Sequence, residues 1–203
     1  MKKHLGFLFV ATAIAAAGNA HATTTVGAAG LGADTLSLPG IHATVDTGAV
    51  AMAVRRGNVI GVLKESMGAG DGVRLDGATA TLGYSSARPG AIALVPEVRV
   101  GMLSVTGPGF AGARTGYVLG GLAVVDQANA LVGYDLDALV GDTFAADSST
   151  GAGSGRAYKV SVGVSEALTG HLTLTERYSD ERLTVRSGAI VDHSTMISIA
   201  DRF

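Results

Sequence analysis

Apolar and polar residues alternate with a period of two along much of the chain. In AYKVSVGVS, residues 157–165, the apolar residues Tyr158, Val160, Val162 and Val164 are separated by polar or very small ones. Successive side chains of a β-strand point to opposite faces, so this pattern predicts a strand with one apolar and one polar face. The same alternation recurs in residues 49–55, 91–102 and 129–137.

The connections between these segments alternate between short and long. Short connections rich in turn residues are expected at 56–58, 86–90, 126–128 and 168–170. Long connections rich in Gly, Ser and Asp are expected at 67–76, 104–114, 140–156 and 179–193. Short turns at one end and long loops at the other are typical of up-and-down β-barrels of the outer-membrane type. A closed sheet also satisfies every backbone polar group, as hydrocarbon requires.

These boundaries predict about ten strands, an even number as bacterial spanning barrels require. The strands are expected near 24–31, 41–56, 58–66, 77–85, 91–103, 115–125, 129–139, 157–166, 171–178 and 194–203. The pattern is weakest at the N-terminal end, and eight strands would follow if two weak strands are loops. The predicted fold class is therefore all-β, an antiparallel up-and-down transmembrane barrel of about ten strands, with eight as the alternative.

Residues 1–22 have the composition of a secretory signal peptide. A basic start is followed by an apolar run from Leu5 to Ala17 and by a small-x-small cleavage site at 20–22. The apolar run is too short to span a bilayer as a helix. We expect a signal peptide at 1–22 and a single barrel domain at 23–203.

Charge and cysteine content exclude several classes of function. Removal of Lys2 and Lys3 with the signal peptide would leave 13 basic residues against 17 acidic ones, a formal charge of −4. A nucleic-acid partner is therefore not expected. The chain has no cysteine, which excludes disulfides, thiolate catalysis and cysteine metal sites.

The last ten residues, STMISIADRF, resemble a known assembly signal. Ile197 and Ile199 alternate toward the terminal Phe203, which is similar to the ending by which the insertion machinery recognises Gram-negative outer-membrane β-barrels. Residues 157–203 also look like the closing strands of small opacity-type barrels. The resemblance implies an outer-membrane location and contact with outer-membrane lipids and the barrel-insertion machinery. Asp201 departs from the family pattern, which has an apolar or aromatic residue at that position.

Aromatic residues are sparse for a spanning barrel. The chain has five Tyr, five Phe and no Trp, whereas such barrels usually carry aromatic girdles at both interfaces. A thin girdle is expected from Tyr84, Tyr117, Tyr134, Tyr158, Tyr178 and Phe203. Its thinness leaves a soluble exported β-sandwich as an alternative fold.

Eight charged residues fall on the polar faces of the predicted strands: Arg55, Glu97, Arg99, Asp135, Asp137, Lys159, Arg177 and Arg202. In a small barrel these side chains would line the lumen, giving a mildly basic interior. Opposite charges should pair there, because unpaired buried charges are costly. The pattern favours a salt-bridged plug, and a narrow passive pore with anion preference is the alternative.

We expect no catalytic, cofactor or metal site. His193 lies between Asp192 and Ser194, but neighbours along a strand point to opposite faces and do not form a nucleophile–base pair. The glycine-rich loops lack nucleotide-binding fingerprints. A structural or surface-interaction role, through long extracellular loops and a surface ligand, is therefore expected. The alternative is a barrel enzyme that acts on lipid or peptide through His171 or His193.

Overall fold

Ten antiparallel strands close into one barrel, which confirms the predicted fold class and excludes both the eight-stranded and the two-sheet alternatives. The computed structural model describes residues 23–85, 92–108, 110–126, 132–145, 155–185 and 188–203. The strands are β1 (Thr23–Leu38), β2 (Ile41–Arg56), β3 (Val59–Gly70), β4 (Val73–Tyr84), β5 (Ile92–Gly107), β6 (Phe110–Asp126), β7 (Val132–Ala145), β8 (Gly155–Ala167), β9 (Leu172–Val185) and β10 (Gly188–Arg202). Within these ranges no helix is long and apolar enough to cross a membrane.

The barrel closes because β1 pairs with both β2 and β10. Each other strand pairs with its neighbours in sequence. Following directly paired residues once around the barrel from Thr25 of β1 leads to Ser37 of the same strand, 12 residues further along. Closure of a tilted sheet requires such a stagger. We call the end that carries Thr23 and Phe203 the terminal end and the opposite end the distal end.

Three distal connections are short, which corrects the expectation of long loops at 67–76, 104–114 and 179–193. The strands continue through these segments and are joined by two-residue connections at 71–72, 108–109 and 186–187. Asp71 has φ 48° and Gly72 has φ 75°, so both adopt the left-handed conformation that a two-residue type I′ hairpin turn requires. In the segment at 140–156, residues 140–145 and 155–156 also belong to strands β7 and β8, and residues 146–154 lie outside the described residues.

The terminal half of the outer surface is an apolar band. On β5 the outward side chains run from Ile92 to Met102 and are exposed, for example Leu94 at 57% and Val100 at 46%. Ten residue steps of about 3.3 Å, at a tilt of about 40°, give a height of roughly 25 Å. This height matches the lipid-facing band of outer-membrane barrels.

Above this band the outer surface becomes charged. The outward positions on the distal part of the strands form a ring that we call the distal collar, consisting of Asp46, Arg74, Asp76, Asp142, Arg156, Asp180, Arg182 and His193. Arg74 pairs with Asp76 at 3.3 Å, with exposed side chains. The strands therefore extend past the apolar band and carry polar side chains outward there.

Five of the six aromatic residues assigned to the girdle face outward. Tyr84, Tyr134 and Phe203 lie near the terminal ends of their strands with exposures of 50%, 55% and 78%. Tyr158 and Tyr178 are also exposed. Tyr117 was wrongly assigned, because its ring is 4% exposed inside the barrel.

The C-terminus is held in the sheet. The backbone N–H of Phe203 donates to the carbonyl of Thr25 at 2.9 Å, and Ile197 and Ile199 are outward and about half exposed at 54% and 49%. The last residues thus continue the pairing of β10 with β1. Their role as an assembly signal stays a prediction.

Candidate functional site

The distal half of the barrel interior is filled by apolar side chains. Inward positions near the distal end carry bulky aliphatic residues, and Leu36, Val45 and Leu119 are fully buried at 0% exposure. We call this cluster the distal plug; it consists of Leu36, Leu38, Ala43, Val45, Val73, Leu75, Val105, Tyr117, Leu119, Leu139, Ala157, Leu183 and Ile190. Side chains packed this closely leave little room for water. The described residues therefore close the lumen toward the distal end.

Asp137 on β7 is the centre of a charged layer on the terminal side of the plug. Its carboxylate accepts hydrogen bonds from Ser161 at 2.8 Å and from Arg177 Nη1 at 2.9 Å. Arg99 Nη2 lies 3.8 Å from the same oxygen. Asp137 is only 5% exposed, so these partners replace the water that a carboxylate would otherwise bind.

Each arginine of this layer also contacts a second carboxylate. Arg99 Nη2 donates to Glu97 at 3.1 Å, and its Nε donates to Thr81 at 3.1 Å. Arg177 Nη2 donates to Asp135 at 2.5 Å. The two guanidinium groups and three carboxylates thus form one continuous network between β5, β7 and β9. Such a network keeps its members in fixed positions across the lumen.

A second ion pair joins β8 and β9 next to the plug. Lys159 Nζ donates to Glu181 at 2.6 Å. Near it, the hydroxyl of Thr47 donates to the Asp34 carboxylate. One oxygen of Asp34 and one of Asp192 are buried without a hydrogen-bond partner.

A cavity of about 630 Å³ lies in the interior beside the charged layer. Its lining differs between the two sides of the barrel. On β2 the inward residues are Ala49, Ala51 and Ala53, and small or aliphatic residues also line β1, β3 and β4. The opposite side presents the charged network of Glu97, Arg99, Asp135, Asp137 and Arg177. The cavity exists because alanine, glycine and threonine on β1–β4 leave space that larger side chains would fill.

The interior contains six of the eight charged residues proposed from sequence for the lumen. Glu97, Arg99, Asp135, Asp137, Lys159 and Arg177 all line the cavity. The other two lie at the terminal rim and do not line the cavity. Arg55 donates through Nε to the carbonyl of Gly57 at 3.0 Å, and Arg202 donates to the carbonyl of Gly170 at 2.8 Å. Both side chains hold rim turns because they lie at the last inward position of their strands.

Several interior polar residues were missed from the sequence: Asp34, Lys64, Glu181 and Asp192. Glu181 lies four positions after Arg177 and so faces the same side of a strand, but β9 was expected to end at residue 178. Lys64 follows Ile60 and Val62 on the inward face of β3. The period-two rule identifies these positions once the true strand lengths are known.

Each histidine of the described residues contacts a polar side chain at or near the surface. His193 Nδ1 lies 3.5 Å from Asp180 in the distal collar, and His171 lies in a terminal turn with Thr169. Sequence reasoning missed a contact across the first hairpin, where His42 Nδ1 and the Ser37 hydroxyl are 3.0 Å apart. A catalytic triad needs a third group that orients the histidine, and no such contact to His42 is found in the described residues. The described residues also contain no His and carboxylate cluster suited to a metal ion.

Comparison with known proteins supports the fold. No protein-family profile matches the chain, and no curated protein matches it in sequence. The crystal structure of Neisserial surface protein A (NspA) is similar, with a TM-score of 0.52 and 11% identity over 90% of this chain and 100% of that one. A bacterial polysaccharide outer membrane secretin has a TM-score of 0.50 and 6% identity over 89% of this chain and 98% of that one. The outer membrane protease OmpT from Escherichia coli has a TM-score of 0.44 and 8% identity over 89% of this chain and 95% of that one.

The chain therefore has the fold of Gram-negative outer-membrane β-barrels. The apolar outer band of about 25 Å is consistent with an outer-membrane location. At these identities the likeness concerns the fold alone, and the activity has to be argued from the chain's own residues.

Proposed function

We propose that the protein is a non-conducting outer-membrane barrel with a structural or surface-interaction role, and that it is not an enzyme. The observation that carries the proposal is the distal plug, which fills the distal half of the interior. The distal plug leaves Leu36, Val45, Val105 and Leu119 at 0% exposure, and the charged layer next to it is cross-linked by ion pairs. An ion crossing the barrel would have to displace both.

The surface for interaction would be the distal collar. Two-residue connections give little area for a partner, whereas the extended strands present exposed charges such as Arg74, Arg156 and Arg182 beyond the apolar band. The collar carries charges of both signs, and such surfaces suit lipid headgroups or a polar surface ligand. The loop-mediated role expected from the sequence stays a prediction for the connection at 146–154, which lies outside the described residues.

Planar-bilayer recording tests the closed interior directly. The purified barrel should insert without conductance steps. Insertion is verified separately by the difference in electrophoretic mobility between boiled and unboiled samples and by fractionation with outer membrane. Discrete steps whose ion selectivity changes in Arg99→Glu or Lys159→Glu would instead establish the pore.

The non-enzymatic assignment has its own test. Ser37→Ala, His42→Ala, His171→Ala and His193→Ala should each leave the barrel's behaviour toward lipid and peptide substrates unchanged. Loss of a measurable lipid or peptide cleavage in any of them would contradict the proposal. Export through residues 1–22 predicts that the mature chain begins at Thr23, which N-terminal sequencing checks.

A further inference from the structure

The interior cavity has the size and the mixed lining of a small-molecule site. Pockets for small ligands usually have volumes of about 300–1,000 Å³ and combine apolar walls with a few polar groups. The cavity of about 630 Å³ falls within this range. Its lining reaches Val26, Ile60 and Val125 near the terminal end. A ligand would therefore enter from the terminal end, since the plug closes the other.

Lys64 is the residue that indicates the charge of the ligand. The interior cations Arg99, Lys159 and Arg177 each have a carboxylate within 4 Å. Lys64 lines the cavity but forms no such ion pair with any described residue. Its direct neighbours in the sheet, Ala51 and Thr79, carry no charge. The carboxylates of Asp34, Glu181 and Asp192 act on the Lys64 ammonium group from beyond 4 Å, so its hydrogen-bonding positions are available to an anion in the cavity.

Five of the six carboxylates that line the cavity are already bonded to other side chains, and the sixth, Asp192, has one oxygen fully shielded. Asp34 is 3% exposed and is hydrogen-bonded by Thr47. The partnerless oxygens of Asp34 and Asp192 have almost no accessible surface, so a ligand in the cavity does not reach them. Glu97, Asp135 and Asp137 are already engaged by arginines.

The wall around Lys64 indicates what accompanies the anionic group. Ala51 pairs with Lys64, and Ala53 is the next inward residue of β2 toward the terminal end, where Val62 and Ile60 continue the surface on β3. Together they form an apolar strip that leads from Lys64 toward the terminal end. An alkyl chain would lose contact with water along this strip, which favours binding by roughly 25 cal/mol per Å² buried.

We propose that the cavity binds a single-chain anionic amphiphile, with its carboxylate at Lys64 and its alkyl chain along the alanine strip of β2. The inference adds a ligand site to the barrel and does not depend on the structural or surface role proposed above. A barrel without conductance can bind or fail to bind such a ligand, so the two tests give separate answers.

The absence of native cysteine allows a direct test with decanoate as the probe. Ala51→Cys, assembled in phosphatidylcholine nanodiscs, is modified with a small methanethiosulfonate reagent, and the rate is followed by mass spectrometry. Saturating decanoate should slow the reaction at least about tenfold, as expected when some nine-tenths of the sites are occupied. Acetate and decyltrimethylammonium at equal concentration should not slow the reaction, because acetate lacks the alkyl chain and decyltrimethylammonium lacks the carboxylate. Asn58→Cys in the exposed terminal turn is the control whose rate decanoate should leave unchanged.

Two further variants in the Ala51→Cys background decide whether the proposed residues are responsible. Lys64→Gln should abolish the protection and Lys64→Arg should retain it. Ala53→Leu should also abolish it by filling the apolar strip while keeping the lysine, and it serves as the test if Lys64→Gln does not assemble. Absence of protection in Ala51→Cys, equal protection by decyltrimethylammonium, or protection that persists in Lys64→Gln or Ala53→Leu would overturn the proposal.

Discussion

The charged layer makes a strong prediction about Arg99. Replacement of Arg99 by Gln removes the guanidinium group that binds Glu97 at 3.1 Å and lies 3.8 Å from Asp137. The side chains involved are well shielded, with exposures of 14% for Arg99 and 10% for Glu97. Glu97 would then remain as a buried carboxylate without its counter-ion.

The expected loss of stability follows from this burial. Breaking a buried pair by removing one partner costs roughly 3–5 kcal/mol. Asp137 keeps its bonds from Arg177 and Ser161, so the loss falls mainly on Glu97. We therefore expect Arg99→Gln to lower the free energy of unfolding by about 3 kcal/mol, at the lower end of that range. The second substitution Glu97→Gln should recover much of this loss, because it removes the uncompensated charge.

Urea unfolding in lipid vesicles measures these free energies, with the electrophoretic mobility shift and far-UV circular dichroism as the two probes. Arg74→Gln is the matched control, because it breaks an arginine–carboxylate pair in the distal collar with side-chain exposures of 67% and 45%. Exposed pairs of this kind contribute about 0–1 kcal/mol. The reasoning is refuted if Arg99→Gln and Arg74→Gln cost the same, or if the double variant is no more stable than Arg99→Gln.

Three further predictions concern packing, the lipid face and assembly. Gly101→Ala should destabilise the barrel by roughly 1–3 kcal/mol, since its methyl group would overlap the buried ring of Tyr117. Gly120→Ala is the control and should not destabilise the barrel, because the space around Gly120 is open. Equal urea midpoints for the two variants would contradict the prediction. Glu176 faces outward in the apolar band between Leu174 and Tyr178, so Glu176→Leu should stabilise the barrel in bilayers by up to about 2 kcal/mol. Glu166→Leu, near the terminal rim, is the control and should have little effect. A loss of stability in Glu176→Leu would contradict the prediction and indicate that the Glu176 carboxylate has a partner. Phe203→Ala should lower the fraction of chains that reach the heat-modifiable form in outer membrane and Asp201→Tyr should raise it, and unchanged fractions in both would remove the assembly signal.

The sequence predicted the terminal half of the barrel well and the distal half poorly. In β8 the residues from Tyr158 to Val164 alternate cleanly, because the outward positions face lipid and the inward ones face the polar lumen. The segment 67–76 was assigned to a loop on its glycine content, although Asp71-Gly72 is a strong hairpin signal. Gly68 and Gly70 are needed there for close strand packing, since a Cβ at either position would collide with Thr47 or with the backbone of Thr44.

The interior residues were predictable only where the strands had been recognised. Arg99, Asp137 and Lys159 lie in the cleanly alternating parts, and the parity of their positions was sufficient to assign them to the lumen. Glu181 and Asp192 lie in the segment 179–193, whose composition predicts a loop. The cavity could not be predicted at all, because it depends on which strands lie opposite one another and on where small residues face each other across the lumen.

On β4 the distal part was missed because the alternation reverses its sense along the strand. On β4 the outward residues Arg74 and Asp76 are polar and the inward residues Val73 and Leu75 are buried and apolar. Further along the same strand the outward residue Leu82 is apolar and exposed at 61%. Beyond the apolar band the outward face of β4 becomes charged. At the same height its inward face becomes apolar and joins the distal plug. Such a reversal is required of a strand whose outward face passes from lipid into water where its inward face passes from a polar lumen into an apolar plug. The position of the reversal in the sequence therefore marks the membrane boundary.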